Sequence, residues 1–351
     1  MTSINAIRFN RYQGAMVADE TISAGGGLTY HTSDKVQSCI PTVVRDAYGI
    51  VGGMGTTGSC SVGESLKQGL HDWVLSAYRT EVEKAGQRPA RFMDLDQIAA
   101  GLFDLIVRQK HQWISEHLRA EFGFDVAEFV AGSYERNGRK EEIKDRDVIR
   151  RITDWMSWKN MEPEVEGIFL NAALFAGYDD ACGFQIYHLD LRDGYWHRVQ
   201  NCYFAEGSGR QSVDPSMYNF VERLRIDERR GDIEPVEGLV AMLAALNSAS
   251  EHEVGVGGYP TVMLFDGREP IARRQREIMD NRSWLATRVV KAFTTGYLER
   301  VPAFDLLEGL FYRDEDFETA YGRFWAAARQ PELLGRLLRG YKVPPMPELR
   351  P

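Results

Sequence analysis

Met1 is followed by Thr2-Ser3-Ile4. Methionine is commonly removed ahead of a residue as small as threonine. A Thr2 freed in this way carries a hydroxyl and an amine on one residue. The amine can take the hydroxyl proton as the oxygen attacks, so one residue supplies both nucleophile and general base. An α-amine titrates at about 7.7–8.0 when unperturbed, already close to the working range of a base. A neighbouring ammonium lowers it further. The chemistry this permits is acyl transfer: opening of an amide through a threonine ester. If Met1 is retained, the amine is not on Thr2 and the mechanism fails. A threonine at position 2 is also a common way for a chain to begin, so its weight depends on the rest of the sequence.

Other reactive residue types fall into weaker patterns. Gly25-Gly26-Gly27 is not followed by Gly-Lys-Ser/Thr and is no phosphate loop. The seven histidines, among them His31, His71, His111, His117 and His188, show no HExxH spacing. His111 and His117 are six residues apart and fall on different faces of a helix, so no metal pair is expected. The four cysteines, Cys39, Cys60, Cys182 and Cys202, have no CxxC spacing and read as buried thiols of a reducing compartment. Arg273-Arg274-Gln275-Arg276 reads as a solvated helix face or a subunit contact. No cofactor and no metal are expected.

The elements that must position Thr2 begin with short strands at 4–9 and 15–18, turned by Arg11-Tyr12-Gln13-Gly14. Further strands are expected at 35–40 and 47–51, the latter running into Gly52-Gly53-Met54-Gly55-Thr56-Thr57-Gly58. Short runs separated by glycine and polar clusters favour antiparallel pairing. The period then changes. Val62, Leu66, Leu70, Trp73, Val74 and Ala77 predict a helix over 61–84, closed by Gly86 and Pro89. Asp94 is placed to cap a second helix reaching about Leu118, with Ile98, Leu102, Leu105, Ile106 and Trp113 on one face. The charged stretch 119–166 carries an exposed loop at 136–142, with Trp155 and Trp158 marking a small helical piece. Strands resume at 167–177 and 184–189. Asp193-Gly194 turns into a return strand over 195–204. Helices at 217–224 and 235–250 and a strand at 261–265 follow, and the remaining residues read as helices ending in a Pro-rich tail.

Five segments, taken together and in order, resemble a proteasome β-subunit, a member of the N-terminal nucleophile (Ntn) hydrolases. They are Thr2-Ser3-Ile4, Gly14-Ala15-Met16-Val17-Ala18-Asp19, Ser33-Asp34-Lys35-Val36, Gly52-Gly53-Met54-Gly55-Thr56 and Ala205-Glu206-Gly207-Ser208-Gly209. The resemblance implies an α+β fold: an αββα four-layer sandwich of two antiparallel sheets, with a helical insertion and a helical C-terminal extension. It covers residues 2–266 apart from the insertion 119–166, and leaves 267–351 as the extension.

The resemblance also assigns roles. Thr2 is the nucleophile and its amine the base. Lys35 holds positive charge beside them, and Asp19 holds Lys35. The Gly55 N–H stabilises the oxyanion, and Ser208 hydrogen-bonds near the amine or the attacking water. Gly53 and Met54 line the substrate pocket, which Gly53 leaves roomy. There are departures. The stretch from Thr2 to Asp19 is one residue longer than the pattern, and that from Lys35 to Gly55 is also longer. Where the pattern has Asp and Ser near the last strand, this chain has Glu253 and Val256. Glu253 keeps the charge, while Val256 lacks the hydroxyl.

The expected function is a threonine-type endopeptidase or amidase acting on peptide or unfolded protein within a homo-oligomeric ring, with any ATPase partner unknown. The alternatives are an inactive ring-forming scaffold and an Ntn amidase for a small amide. Composition agrees with a globular protein: 351 residues, 44% hydrophobic and 26% charged. A net charge of −9 argues against non-specific nucleic-acid binding. No apolar run long enough for a membrane span and no signal-peptide pattern is present, so a cytoplasmic location is expected. Charge is uneven: 267–351 carry 15 Lys+Arg against 12 Asp+Glu, and the preceding residues carry a net −12. Docking of the extension on the acidic core or on a neighbouring protomer is therefore expected.

Overall fold

The computed structural model describes residues 2–24, 28–31, 35–136, 138–157, 172–190, 194–226, 232–253 and 256–338. Strand β1 (Ile4–Arg8) alternates in the way a strand between two apolar layers should. Ile4 and Ala6 point one way, and Ile7 points the other. Asn10 turns the chain: its Oδ1 accepts from the backbone N–H of Tyr12 at 2.8 Å and of Gln13 at 3.0 Å. That sets the register of β2 (Gln13–Ala18), in which Ala6 faces Met16. β3 (Thr21–Ala24) and β4 (Leu28–His31) form a small separate hairpin, and β5 (Val36–Ser38) follows.

The expected strand at 47–51 is replaced. Residues Thr42–Tyr48 form helix α1, ended by Gly49 at φ 68°, and β6 (Val51–Thr57) is built from the glycine-rich segment itself. Glycine there has a packing reason. A Cβ on Gly52 would meet the Phe175 ring at 2.8 Å, and one on Gly53 would meet the Met263 sulfur at 2.3 Å. α1 lies within the stretch between Lys35 and Gly55.

Helices α2 (Cys60–Ala85) and α3 (Leu95–Phe122) follow the apolar period. Asp94 caps α3 with a reciprocal pair: its side chain accepts from Gln97 N–H, and the Gln97 side chain accepts from Asp94 N–H. The insertion holds α4 (Val126–Ala131), the hairpin β7 (Ser133–Arg136) and β8 (Arg139–Glu142), and α5 (Arg146–Met156). The stretch expected as an exposed loop is therefore this hairpin. Ile114, Leu118, Phe124, Ile152 and Trp155 make a small core of their own beside it. Trp158 lies outside the described residues.

β9 (Ala172–Asp179) and β10 (Gly183–Asp190) pair over their full length. The expected return strand over 195–204 divides. β11 (Tyr195–Arg198) stays on β10, while β12 (Tyr203–Glu206) crosses to pair with β1. Helices α6 (Arg210–Ile226) and α7 (Pro235–His252) precede β13 (Thr261–Asp266). The extension opens with a 3-10 turn, Ile271–Arg273, and then a strand ahead of its α-helices: β14 (Gln275–Ile278) pairs with β13. Helices α8 (Asp280–Thr294), α9 (Arg300–Tyr312), α10 (Phe317–Ala327) and α11 (Pro331–Leu337) complete the described chain.

The strand orders are β12-β1-β2-β13-β14 and β11-β10-β9-β6-β5, both antiparallel. Ile4, Met16, Leu174, Phe184 and Met263 fill the space between the sheets. Leu66, Leu70, Ile98 and Leu102 of α2 and α3 cover the second sheet through Phe175 and Tyr187. α6 and α7 cover the first through Ile7, Val17 and Val262. The architecture is the four-layer α+β sandwich expected from the sequence.

The extension shares the core of the outer layer. Leu285, Val289, Leu306, Leu310 and Phe324 belong to the same apolar cluster as Leu239, Leu243 and Val262. Removing 267–351 would uncover that cluster and the free edge of β13. A chain truncated before Gly267 is expected to associate or precipitate and to bind an apolar dye on sizing chromatography. A truncated protein eluting at the parent's size without dye binding would show that the extension is dispensable.

Candidate active site at the start of the first strand

The ladder between β1 and β12 ends where Ile4 faces Glu206. Thr2 lies beyond it and is held by the turn that follows β12. Thr2 N–H donates to Ser208 Oγ at 3.1 Å, and Gly209 N–H donates to the Thr2 carbonyl at 3.2 Å. Just ahead of them is Gly207 at φ 95°, where a Cβ would fall 2.2 Å from the Thr2 carbonyl oxygen. Any side chain there is both strained and blocked by backbone. Gly207→Ala should lower stability by about 1–3 kcal/mol through the forced φ alone, and more through the collision. A thermal melt of that variant matching the parent would show that the turn yields.

Asp19 follows β2 and is 2% exposed; Lys35 precedes β5 and is 6% exposed. Lys35 Nζ donates to Asp19 Oδ1 at 2.7 Å, and Ser3 N–H donates to the same oxygen at 2.7 Å. Gly257 N–H donates to Oδ2 at 3.2 Å, and Asp19 N–H returns a bond to the Ser3 carbonyl at 3.1 Å. The carboxylate thus links the residue after Thr2, the lysine and the start of the last core strand. Burial pushes the Asp19 carboxyl above its ordinary range and the Lys35 ammonium below its own, against their mutual attraction. Behind Asp19 a space of about 30 Å³ is lined by Asn247, Ser250, Thr287 and Arg288, so the extension reaches this wall through α8.

Gly55 lies on β6 opposite Val36, the residue after Lys35. A Cβ on Gly55 would meet Ile4 at 2.9 Å, which places its backbone beside the face of β1 that Thr2 shares. Gly53 and Met54 lie differently from the expected pocket. The open side of Gly53 is filled by Met263 and Met16. Met54 is fully buried among Leu66, Phe175 and the α2–α3 layer. Glu253 does not reach Thr2. Its Oε1 accepts from Ser212 Oγ at 3.0 Å, one turn into α6. Val256 is buried, and a Cβ on Gly209 would meet it at 3.4 Å.

Sequence reasoning missed Ser3, Gly209 and Gly257 as partners because they act through backbone N–H or C=O groups, which leave no side-chain signature. A wide groove of about 1020 Å³ lies at the opposite end of β1, lined by Asn10, Gln13, Asp266, Arg300, Phe304 and Tyr312, away from these groups. Among the described residues, no group of three or more His, Cys, Asp or Glu side chains is arranged to hold a metal ion, and no helix is long and apolar enough to cross a membrane.

The sequence matches no family model and no curated protein. Among solved structures, the chain is similar to a Gly-1 mutant of Anbu from Hyphomicrobium sp. strain MC1, with 13% identity, a TM-score of 0.51, and coverage of 84% of this chain and 94% of that one. Anbu (ancestral beta-subunit) from Yersinia bercovieri is 14% identical with a TM-score of 0.47, at the same coverages. At 13% identity the likeness to the Hyphomicrobium protein is one of fold. It corrects the resemblance to proteasome β-subunits: that structure is of Anbu, a distinct family related through the Ntn fold. The reason is physical, since short glycine-rich turns and strand ends are dictated by this sandwich and do not separate one family built on it from another.

Proposed function

We propose that this chain is an amide hydrolase of the threonine type, with Thr2 as nucleophile once its amine is free. The observation that carries the reading is the buried Asp19–Lys35 pair tied to Ser3 N–H, beside a Thr2 clamped at both its N–H and its carbonyl. The Thr2 amine takes the proton from Oγ as Oγ bonds to the amide carbon. Gly55 N–H receives the developing oxyanion; removing such a donor typically costs about 2.7–4 kcal/mol of barrier. The amine then gives its proton to the departing nitrogen, and the C–N bond breaks. Water, activated by the same amine, opens the acyl ester and restores Thr2. Lys35 keeps the amine unprotonated by its charge, and Asp19 fixes Lys35. Ser208 holds the amine in line.

A peptide or unfolded protein segment is the proposed substrate, in a homo-oligomeric assembly. The filled space at Gly53 favours a second reading within the same chemistry, a small amide without a bulky side chain. The absence of a hydroxyl at Val256 favours a scaffold role. One experiment separates the hydrolase readings from the scaffold. Intact mass of the purified protein reports whether Thr2 is N-terminal, and incubation with a β-lactone should then add one acyl group at Thr2. A free Thr2 that no electrophile labels would leave the scaffold reading in place.

A further inference from the structure

His188 is a buried titratable group and Glu206 a half-buried one, and the mechanism above uses neither. They lie in the inter-sheet layer, where their neighbours include Ile4, Leu174, Ile186 and Phe204. His188, on β10, is 4% exposed, and its Nε2 sits 2.9 Å from Glu206 Oε2 across the gap between the sheets. The approach is not that of a well-directed N–H donor, so the contact is one of charge when the ring is protonated. The other carboxylate oxygen, Oε1, accepts from Gly207 N–H at 3.0 Å. Burial works against the Glu206 charge, but His188 and the Gly207 N–H outweigh it and hold the carboxyl below its usual range. A carboxylate and a histidine set between apolar sheets are a poor source of stability compared with apolar residues of the same volume. Their position gives them another use. Glu206 is the last ladder residue before the turn in which Ser208 and Gly209 clamp Thr2.

We propose that Glu206, braced by His188, is a positioning residue for Thr2: it fixes the 207–209 turn to the opposite sheet and so sets where the nucleophile sits. The clamp is then referenced to both sheets, to the first by the β1–β12 ladder and to the second by His188. This rests on Thr2 being the nucleophile. A displacement of about 1 Å in a reacting group can lower a rate by about 100-fold, so a brace two residues from the clamp matters to rate more than to binding.

The test is the acylation of Thr2 by a β-lactone, followed by intact mass at several concentrations. Rate at saturation, half-saturating concentration and final extent are read separately. Glu206→Ala should slow the saturated rate by about 10- to 100-fold while the half-saturating concentration changes little and labelling still reaches completion. Glu206→Gln, which keeps an acceptor for Gly207 N–H, should recover part of the rate, and His188→Phe should match Glu206→Gln. A loss confined to the final extent would mean that only the folded fraction had changed, and would overturn the proposal. So would equal saturated rates in all four proteins.

Amide hydrogen exchange at Gly209 gives a readout independent of activity, since that N–H is bonded to Thr2. It should speed up in Glu206→Ala, and unchanged exchange would overturn the brace. If the parent protein is never labelled at Thr2 but exchange at Gly209 responds to Glu206→Ala, the brace stands and the hydrolase reading falls.

Discussion

Thr2→Ala protein is expected to lose hydrolysis by at least about 10⁴-fold while melting at the parent's temperature. The loss is large because residues that act as one catalytic unit fail together, and here nucleophile and base are on the same residue. Fold is spared because the clamp uses the Thr2 backbone. Ser208 Oγ and Gly209 N–H bind groups that alanine also has. Thr2→Ser should keep measurable turnover, since it retains the hydroxyl. Turnover by Thr2→Ala equal to the parent's would end the mechanism, and rates measured on a chromogenic amide would show it directly.

The second large effect concerns Asp19 and Lys35. Removing one partner of a buried ion pair typically costs about 3–5 kcal/mol, because the other charge is left without compensation. Asp19→Ala should be worse than Lys35→Ala, since the carboxylate also accepts from Ser3 and Gly257. The double variant should lose less than the two single losses combined, in stability and in rate. Independent losses would show that the two residues do not act as a pair.

The pH dependence of Lys35→Met follows from the direction of the Asp19 shift. Burial already raises that carboxyl from its ordinary 3.8, and loss of Lys35 raises it further. As pH climbs from 3.8, the folded state keeps a proton that the unfolded state has released, so stability falls with rising pH. Urea melts at acid and neutral pH should show the variant closest to the parent at the acid end.

What could be read from the sequence was local. The period of Leu66, Leu70 and Trp73, and Asp94 ahead of an apolar face, announced α2 and α3. The alternation around Ile4 and Met16 announced β1 and β2. What could not be read was which partner a short strand would take. Tyr195 to Phe204 carries one strand pattern, yet β11 and β12 end in different sheets. α1 was hidden because Val43 and Val44 have strand character and the helix spans only 7 residues. At the site, Thr2, Asp19, Lys35 and Ser208 stood in motifs and lie close together in the fold. Gly53 and Met54 stood in a motif too, but their surroundings are decided by Met263 and α2, far along the chain. Glu206 stood in a quoted segment with no role, since its partner His188 lies on the other sheet.

The sequence distances within the clamp also bear on timing during synthesis. Ser208 lies 206 residues after Thr2, and Gly257 lies 238 residues after Asp19. At about 5–20 residues per second, Thr2 leaves the ribosome about 10–40 s before the turn that will hold it exists. An aminopeptidase therefore meets an end that Ser208 and Gly209 do not yet hold throughout that interval.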